Sequence, residues 1–389
     1  MIYIKNEIYE RIMGIHNFVG WIKKEHYDIY SYEEQIDVFY FDLTYMLYIC
    51  FYGSLNIDDV IKKISSIIIH KIEKYSPNEI VVAMDGIPCL SKIKTECIRR
   101  KNMKEFKKFD TYLFTPCTQS SKIIKKNLSD LMNDIKTFYD IKIKTLFDNY
   151  DEAEFKILYD INTRKFPLNT KIGLYTNDSD VVLMSLSTKN SIYITHHGTH
   201  NFINIDKLKA KFKNPIDFIL ISIMMGNDYL PKISFATFEN LWKSFQDFHK
   251  IIIDNSKINT HNLQSFLVKL IKNMNQNFIK KFNITDFDPD KCKQYLEGIQ
   301  WCIENYINYT CKNINYLYNY TAINPNALII YLQIHNDIEY PMKDNEKKII
   351  TEEIYPYMLL PKNIIKNQIE NFSNKKYEKY IKLKRKLFI

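Results

Sequence analysis

Seven acidic residues stand out in five short stretches, each stretch lying against an apolar run: Phe39–Asp42, Val81–Gly86, Asp151–Ile157 with Thr176–Leu183, and Met224–Pro231. They are Asp42, Asp85, Glu152, Glu154, Asp178, Asp180 and Asp228. A carboxylate near a core is costly unless a cation compensates it. Acids gathered from the ends of several strands form the all-oxygen ligand set that hard divalent cations take, magnesium or manganese foremost. Two such ions about 4 Å apart clamp both oxygens of an in-line phosphodiester displacement. The pattern therefore predicts a metal-dependent nuclease, with all seven acids as ligands.

Those acids need strands and helices to hold them. Val38–Phe41, Ile80–Met84, Ile172–Thr176 and Ser191–Thr195 are short apolar or β-branched runs, the signature of buried parallel strands. Helical patterns lie between them at Ile57–Lys74, Cys89–Lys108, Asp151–Thr163, Ser179–Ser187 and Pro215–Met225. This alternation predicts an α/β fold with a central, mainly parallel sheet, whose active groups belong at the strands' carboxyl ends. Asp42, Asp85 and Asp178 are placed there. Glu152 and Glu154 open a helix, where both can reach a site in front of its first turn. Of Asp178 and Asp180, one can cap a helix while the other binds metal. Glycine is scarce, with 8 in the chain, yet Gly86 and Gly226 each adjoin a candidate ligand, which suggests close backbone approach.

Lys92, Arg99 and Arg100 follow Asp85 on one face of a predicted helix. Arginine suits bidentate phosphate contact and lysine a point-charge contact, so a 5′-phosphate pocket is the functional reading; a solvated basic face is the plain one. His196-His197-Gly198-Thr199-His200 reads as an exposed turn rather than a zinc site.

The chain has 389 residues, net charge +9 and a hydrophobic fraction of 46%, enough to bury a substantial core and to favour an anionic partner. The usage of Ile, Asn, Lys and Tyr suggests an A+T-rich genome such as that of a large DNA virus. Seven cysteines without C-x-x-C spacing point to reduced thiols. No apolar stretch is long enough to span a bilayer, and the N-terminus lacks a signal-peptide core. The expectation is a soluble protein of the cytoplasm (of the host, if the gene is viral, with the nucleus left open), free of membrane and monomeric by default. Residues 1–12 read as an N-terminal extension, 13–245 as the nuclease core, 246–345 as a helical region, and 346–389 as a basic tail. Seven of the last fifteen residues are Lys or Arg.

Laid side by side, these segments resemble the XRN-type 5′→3′ exoribonucleases, whose fold is related to the PIN/FEN-like nucleases. Met13-Gly14-Ile15-His16-Asn17-Phe18 with Trp21-Ile22 is similar to that family's opening motif. Asp85-Gly86-Ile87-Pro88 with Lys92, Arg99 and Arg100 resembles its phosphate-binding helix. Glu152-Ala153-Glu154-Phe155-Lys156-Ile157, Asp178-Ser179-Asp180-Val181-Val182 and Met225-Gly226-Asn227-Asp228-Tyr229-Leu230-Pro231 resemble its EGEHKI, DADLI and MGNDFLP segments. Tyr295-Leu296-Glu297-Gly298-Ile299-Gln300-Trp301 is close to its YLEGLQW.

The resemblance implies a PIN/FEN-like core followed by a C-terminal helical region. It implies processive 5′→3′ degradation of single-stranded RNA bearing a 5′-monophosphate, with two Mg²⁺ (or Mn²⁺) on the seven acids and the phosphate on Lys92, Arg99 and Arg100. Tyr48 falls where the family has a base-stacking histidine, and keeps an aromatic face. A decapping enzyme is a candidate partner for RNA turnover of this kind. Three departures stand out: Thr44 replaces an asparagine, Glu96 a glutamine, and Tyr316, Tyr318 and Tyr320 a Trp-rich segment. Two alternatives accompany this reading, a FEN-like structure-specific DNA nuclease and a catalytically weak RNA-binding scaffold. A FEN-like enzyme would need a Gly-rich turn after its last acids, and no glycine lies between Gly226 and Gly298.

Overall fold

The structure is a computed structural model and describes residues 18–102, 111–167, 169–274, 287–335 and 348–388. The extension at 1–12, the motif residues Met13–Asn17 and the far end of the expected Cys89–Lys108 helix lie outside the described residues. The chain divides into two compact units. One comprises Asp28–Asn177, Thr188–Asp206 and Lys347–Ile389; the other comprises Met1–Tyr27, Asp178–Ser187 and Lys207–Glu346.

The first unit is built on a seven-stranded sheet: β1 (Tyr30–Ser31), β2 (Val38–Asp42), β3 (Glu79–Ala83), β4 (Lys142–Leu146), β5 (Lys171–Tyr175), β6 (Ser191–Thr195) and β7 (Phe202–Asn204). Across the sheet the order is β1-β7-β6-β5-β2-β3-β4. The five strands from β6 to β4 run parallel, and β7 is antiparallel to both β6 and β1. Tyr40 lies opposite Val81 on one side and Leu174 on the other. From β2 the chain works outward through β3 to β4, then returns to the far side of β2 as β5 and β6. Strand order thus reverses between β2 and β5, where open α/β sheets place ligands outside the carboxyl ends.

Strands buried on both faces read as unbroken apolar runs, and all five residues of β2 are buried. On one face Phe39, Phe41, Ile80 and Val82 share a core with Met46, Ile64, Ile68, Leu128 and Met132. These last come from the helices Leu43–Phe51, Ile57–Tyr75 and Gln119–Tyr139. The Ala153–Thr163 helix packs on β2, β3 and β4, and its Asp160 accepts from the Tyr40 hydroxyl at 2.8 Å. Strand β4 lacks an apolar run because it is an edge: Lys142 and Lys144 face water, a charge pattern that discourages further strand pairing. Within 348–388 the chain forms the helices Tyr355–Leu359, Lys362–Gln368 and Asn374–Phe388. The first of these is buried throughout, and its Met358 carbonyl accepts from the Cys97 thiol at 3.2 Å.

Among its described residues the second unit is helical apart from one short hairpin, Ile253–Asp254 with Lys257–Ile258. The Phe18–Glu25 helix sets Trp21 against Phe238, stacked with centroids 5.3 Å apart, and close to Trp242. The Pro289–Asn308 helix carries Gly298 where Leu230 and Tyr316 press in; a Cβ there would meet Leu230 Cδ2 at 2.6 Å. Tyr316 stacks on Trp301 at 4.9 Å, and its hydroxyl donates to the Gln294 carbonyl. Tyr316 and Tyr318 are therefore packing residues of this helix. Among the described residues no helix is long and apolar enough to cross a membrane.

Candidate active site

In the sheet unit the acids gather at the carboxyl ends of β2 and β3. Asp42 closes β2 and caps the Leu43–Phe51 helix, accepting from the Tyr45 amide at 2.9 Å. Its other oxygen accepts from the Thr176 hydroxyl, just beyond β5, at 3.1 Å. One bond thus spans the point where strand order reverses. Asp85 follows β3 and is fixed at both ends. Its amide donates to Thr44 Oγ1 at 2.9 Å, and its carboxylate accepts from the Ala153 amide at 2.8 Å. The Ala153 amide belongs to the exposed donors at a helix start, which favour an acid.

Backbone pairing brings the next acids in. Gly86 N–H donates to the Asp151 carbonyl at 2.7 Å, and Ile87 N–H to that of Asn149 at 2.8 Å. A Cβ at Gly86 would strike the Asn149–Tyr150 backbone, so this approach requires glycine. The pairing leads into Glu152 and Glu154 at the start of the Ala153–Thr163 helix, 6% and 7% exposed. Glu152 makes no cap bond; its carboxylate meets Lys92 Nζ at 2.5 Å in a buried ion pair. Lys156, on the next turn, donates to the Met84 and Asp148 carbonyls, and burial lowers its ammonium to about 8.

Lys92, Arg99 and Arg100 all lie on the Leu90–Asn102 helix. Arg100 donates to the Thr115 hydroxyl at 2.9 Å and lies over the Tyr112 ring. It borders a narrow pocket of about 30 Å³ shared with Tyr48, Asp85, Glu96, Glu152 and Tyr355. Lys92 stands behind the pocket through Glu152, and Arg99 is half-buried on the same helix. Tyr48 packs edge-on against Phe114, and burial pushes its phenol up to about 12. Burial also raises the Glu96 carboxyl, opposed first by Arg100 and then by Lys92. The Tyr355 hydroxyl donates to Glu96 at 3.1 Å.

The helical unit holds the remaining acids, Asp178, Asp180 and Asp228, at 5%, 3% and 3% exposure. Asp178 caps the Ser179–Ser185 helix by accepting from the Asp180 amide at 2.8 Å. The Tyr306 hydroxyl bonds the Asp180 carboxylate, and burial, with that carboxylate next, holds the phenol well above its usual range. Asn227 donates to the same hydroxyl at 3.2 Å, while its carbonyl accepts from the Tyr229 and Leu230 amides. Gly226 starts this turn at φ +85°, and a Cβ would meet the Lys232 amide nitrogen at 2.7 Å. Tyr306 and Asn227 thus tie two of the acidic segments together.

Thr44, Glu96, Tyr306 and Tyr355 belong to these arrangements. Thr44 and Glu96 show in the sequence only as departures from a family pattern, and Tyr355 has no local signal at all. His196–His200 forms a turn between β6 and β7, with Gly198 at φ +79°. Among the described residues no three His, Cys, Asp or Glu side chains are arranged to hold a metal ion, and Asp42, Asp85 and Glu152 each contact a protein partner. Donor chemistry nevertheless fits a hard cation: the groups are all carboxylates, and six of the seven are buried.

No family model matches the chain. Among curated proteins, 5′-3′ exoribonuclease 1 of Saccharomyces cerevisiae is 24% identical over 335 residues, covering 66% of this chain and 21% of the yeast protein. The chain thus spans about a fifth of the length of that relative. Among solved structures, the catalytic core of Rad2 in complex with DNA substrate aligns with TM-score 0.45 and 14% identity, covering 82% of this chain and 94% of that one. Human GEN1 in complex with Holliday junction DNA aligns with TM-score 0.39 and 15% identity, covering 67% and 62%. The T5 D15 protein crystallised with metal ions aligns with TM-score 0.39 and 11% identity, covering 70% and 99%.

Proposed function

We propose that this chain is a nuclease of the XRN/FEN-like PIN kind, a metal-dependent 5′→3′ exoribonuclease acting on single-stranded RNA with a 5′-monophosphate. The single observation that carries this reading is the joining of Asp85, Glu152 and Arg100 around one pocket, backed by Lys92. A cation-bearing helix and a pair of acids share that wall, as cleavage next to a bound 5′ end requires. Asp42, Asp85, Glu152, Glu154, Asp178, Asp180 and Asp228 are the proposed ligands of two Mg²⁺, with Mn²⁺ as substitute. When bound, such ions neutralise the charge that develops on the scissile phosphate and make water a better nucleophile.

The protein's own groups do the rest. Arg100 and Lys92 attract the 5′-phosphate, and a narrow pocket favours a monophosphate over a cap or a triphosphate. Tyr48 presents the face on which the first base stacks. Thr44 and the Ala153 amide hold Asp85 in place before any ligand arrives. A decapping enzyme would generate such ends from capped RNA, and the cytoplasm is the proposed site of action.

The test is digestion of 5′-labelled single-stranded RNA carrying monophosphate, triphosphate or hydroxyl ends, with Mg²⁺. Release of labelled mononucleotide, favoured by the monophosphate over the triphosphate and lost in Asp180→Ala, supports the reading. Cleavage of flapped DNA alone would move the assignment to a FEN-like nuclease. RNA binding without shortening under any metal would make the protein a scaffold.

A further inference from the structure

Of the three acids that line the pocket beside Asp85, Glu96 is the one outside the proposed metal set. Among the described residues Arg100 is the cation on the pocket's rim, and Lys92 stands behind Glu152. Both cations also contact protein groups. Lys92 is in a 2.5 Å pair with Glu152, and Arg100 donates to Thr115 while lying over Tyr112. Glu96 itself is pinned: the Tyr355 hydroxyl, from a separate and wholly buried helix, donates to its carboxylate at 3.1 Å. That bond holds the carboxylate toward the pocket when a ligand enters. A dianionic phosphate pushed against it meets like charge in a confined, low-dielectric space, where repulsion is strong. A hydroxyl group meets a hydrogen-bond acceptor instead.

We infer that Glu96, held by Tyr355, is a specificity-determining residue that admits RNA with a 5′-hydroxyl end nearly as well as RNA with a 5′-phosphate. The inference rests on the exonuclease reading of this same pocket and widens the ends it accepts to include the 5′-hydroxyl. The terminal hydroxyl donates to Glu96, and Arg100 offsets part of the repulsion when the end is a phosphate. Glutamine at this position keeps the shape and still accepts from Tyr355, but removes the charge. The substitution should therefore turn an end-tolerant pocket into a phosphate-selective one.

The experiment compares kcat/KM of the wild-type chain and Glu96→Gln on one single-stranded RNA prepared with 5′-phosphate and with 5′-hydroxyl. Expected are rates within about tenfold of each other for the wild type, and a phosphate preference at least tenfold greater in the variant. A wild-type preference for phosphate beyond tenfold, or a preference unchanged by Glu96→Gln, would overturn the inference. The wild-type ratio decides even if the variant folds poorly. Affinities for the two RNAs are measured in parallel by fluorescence anisotropy with Ca²⁺. Failure to shorten either RNA would sink the nuclease reading, while the ratio of the two affinities would still decide the role of Glu96.

Discussion

The Lys92 ammonium lies 2.5 Å from the Glu152 carboxylate, and both side chains are more than nine-tenths buried. A buried pair of this kind is costly to break from one side, because the surviving charge has nowhere to go. It also stands where a divalent cation is proposed to bind, so the lysine compensates Glu152 when no cation is present.

Lys92→Met should accordingly destabilise the metal-free protein by about 3 kcal/mol, within the range for stranding one partner of a buried pair. Added Mg²⁺ should recover a large part of that loss, since a ligand that binds only the folded state stabilises it by mass action. Urea unfolding of wild type and variant, with and without Mg²⁺, gives the comparison. An equal loss in both conditions would show that Glu152 gains no compensation from the cation.

Tyr306 offers an independent handle on the acids of the helical unit. Its hydroxyl bonds Asp180 and receives a hydrogen bond from Asn227. Groups that orient metal-binding carboxylates commonly change metal affinity by about 10–100-fold when removed. Tyr306→Phe should raise the Mg²⁺ concentration for half-maximal turnover by about tenfold and cost roughly 1 kcal/mol of stability. A Mg²⁺ titration of activity, beside a melting curve, separates these effects. Loss of stability with an unmoved titration midpoint would reduce Tyr306 to a packing residue.

Lys71 supplies a pH-dependent signature of the fold. It lies over the rings of Tyr75 and Tyr175, each centroid 5.4 Å from Nζ, and burial, with Lys74 adding to it, lowers its ammonium to about 8 from 10.5. Between those two values the unfolded chain holds the proton and the folded chain has shed it. The unfolded state then binds more protons, so this residue makes stability rise as pH climbs from about 8 toward 10.5. Below pH 8 both states are protonated and the penalty of burying the charge is constant. Lys71→Met should therefore gain stability over wild type at pH 7 and lose that advantage progressively above pH 8. Melting temperatures of the pair across pH 7–10 test this; a constant difference would mean that Lys71 keeps its ordinary affinity for the proton.

The sequence exposes the parts of this fold whose physics is local. Strands β2, β3, β5 and β6 are buried on both faces and so stand out as apolar runs, and their ends lead straight to Asp42, Asp85 and Asp178. Strand β4 is hidden because an edge strand needs no apolar run, and Lys142 and Lys144 mask its pairing with β3. The pocket is half legible. Lys92, Glu96 and Arg100 share one helix with a recognisable pattern, whereas Tyr355 reaches Glu96 from far along the chain. No local spacing encodes such a contact, and the charge of 346–389 reads as a tail although Tyr355–Leu359 is buried. Thr44 looks like the loss of a polar group, yet its hydroxyl accepts the Asp85 amide.

Gly86 ties the site to the sheet through the absence of a side chain. Its amide donates to the Asp151 carbonyl, and Ile87 and Asp151 pair beside it, so the loop after β3 lies flush against the segment entering Glu152. A methyl group at Gly86 would overlap backbone atoms of Asn149 and Tyr150, which cannot move aside as a flexible side chain could. The two strands of the loop must then separate, and the bond from the Ala153 amide to Asp85 lengthens with them. Gly86→Ala should cost about 1–3 kcal/mol, the range for forcing a strained or overpacked backbone, and reduce turnover at least tenfold. Gly198→Ala is the control. Gly198 has a positive φ, and a Cβ there meets nothing within 4 Å, so Gly198→Ala should lose some stability and keep its turnover. Equal activity in the two variants would mean that the close approach at Gly86 matters for folding and not for holding Asp85 beside Glu152.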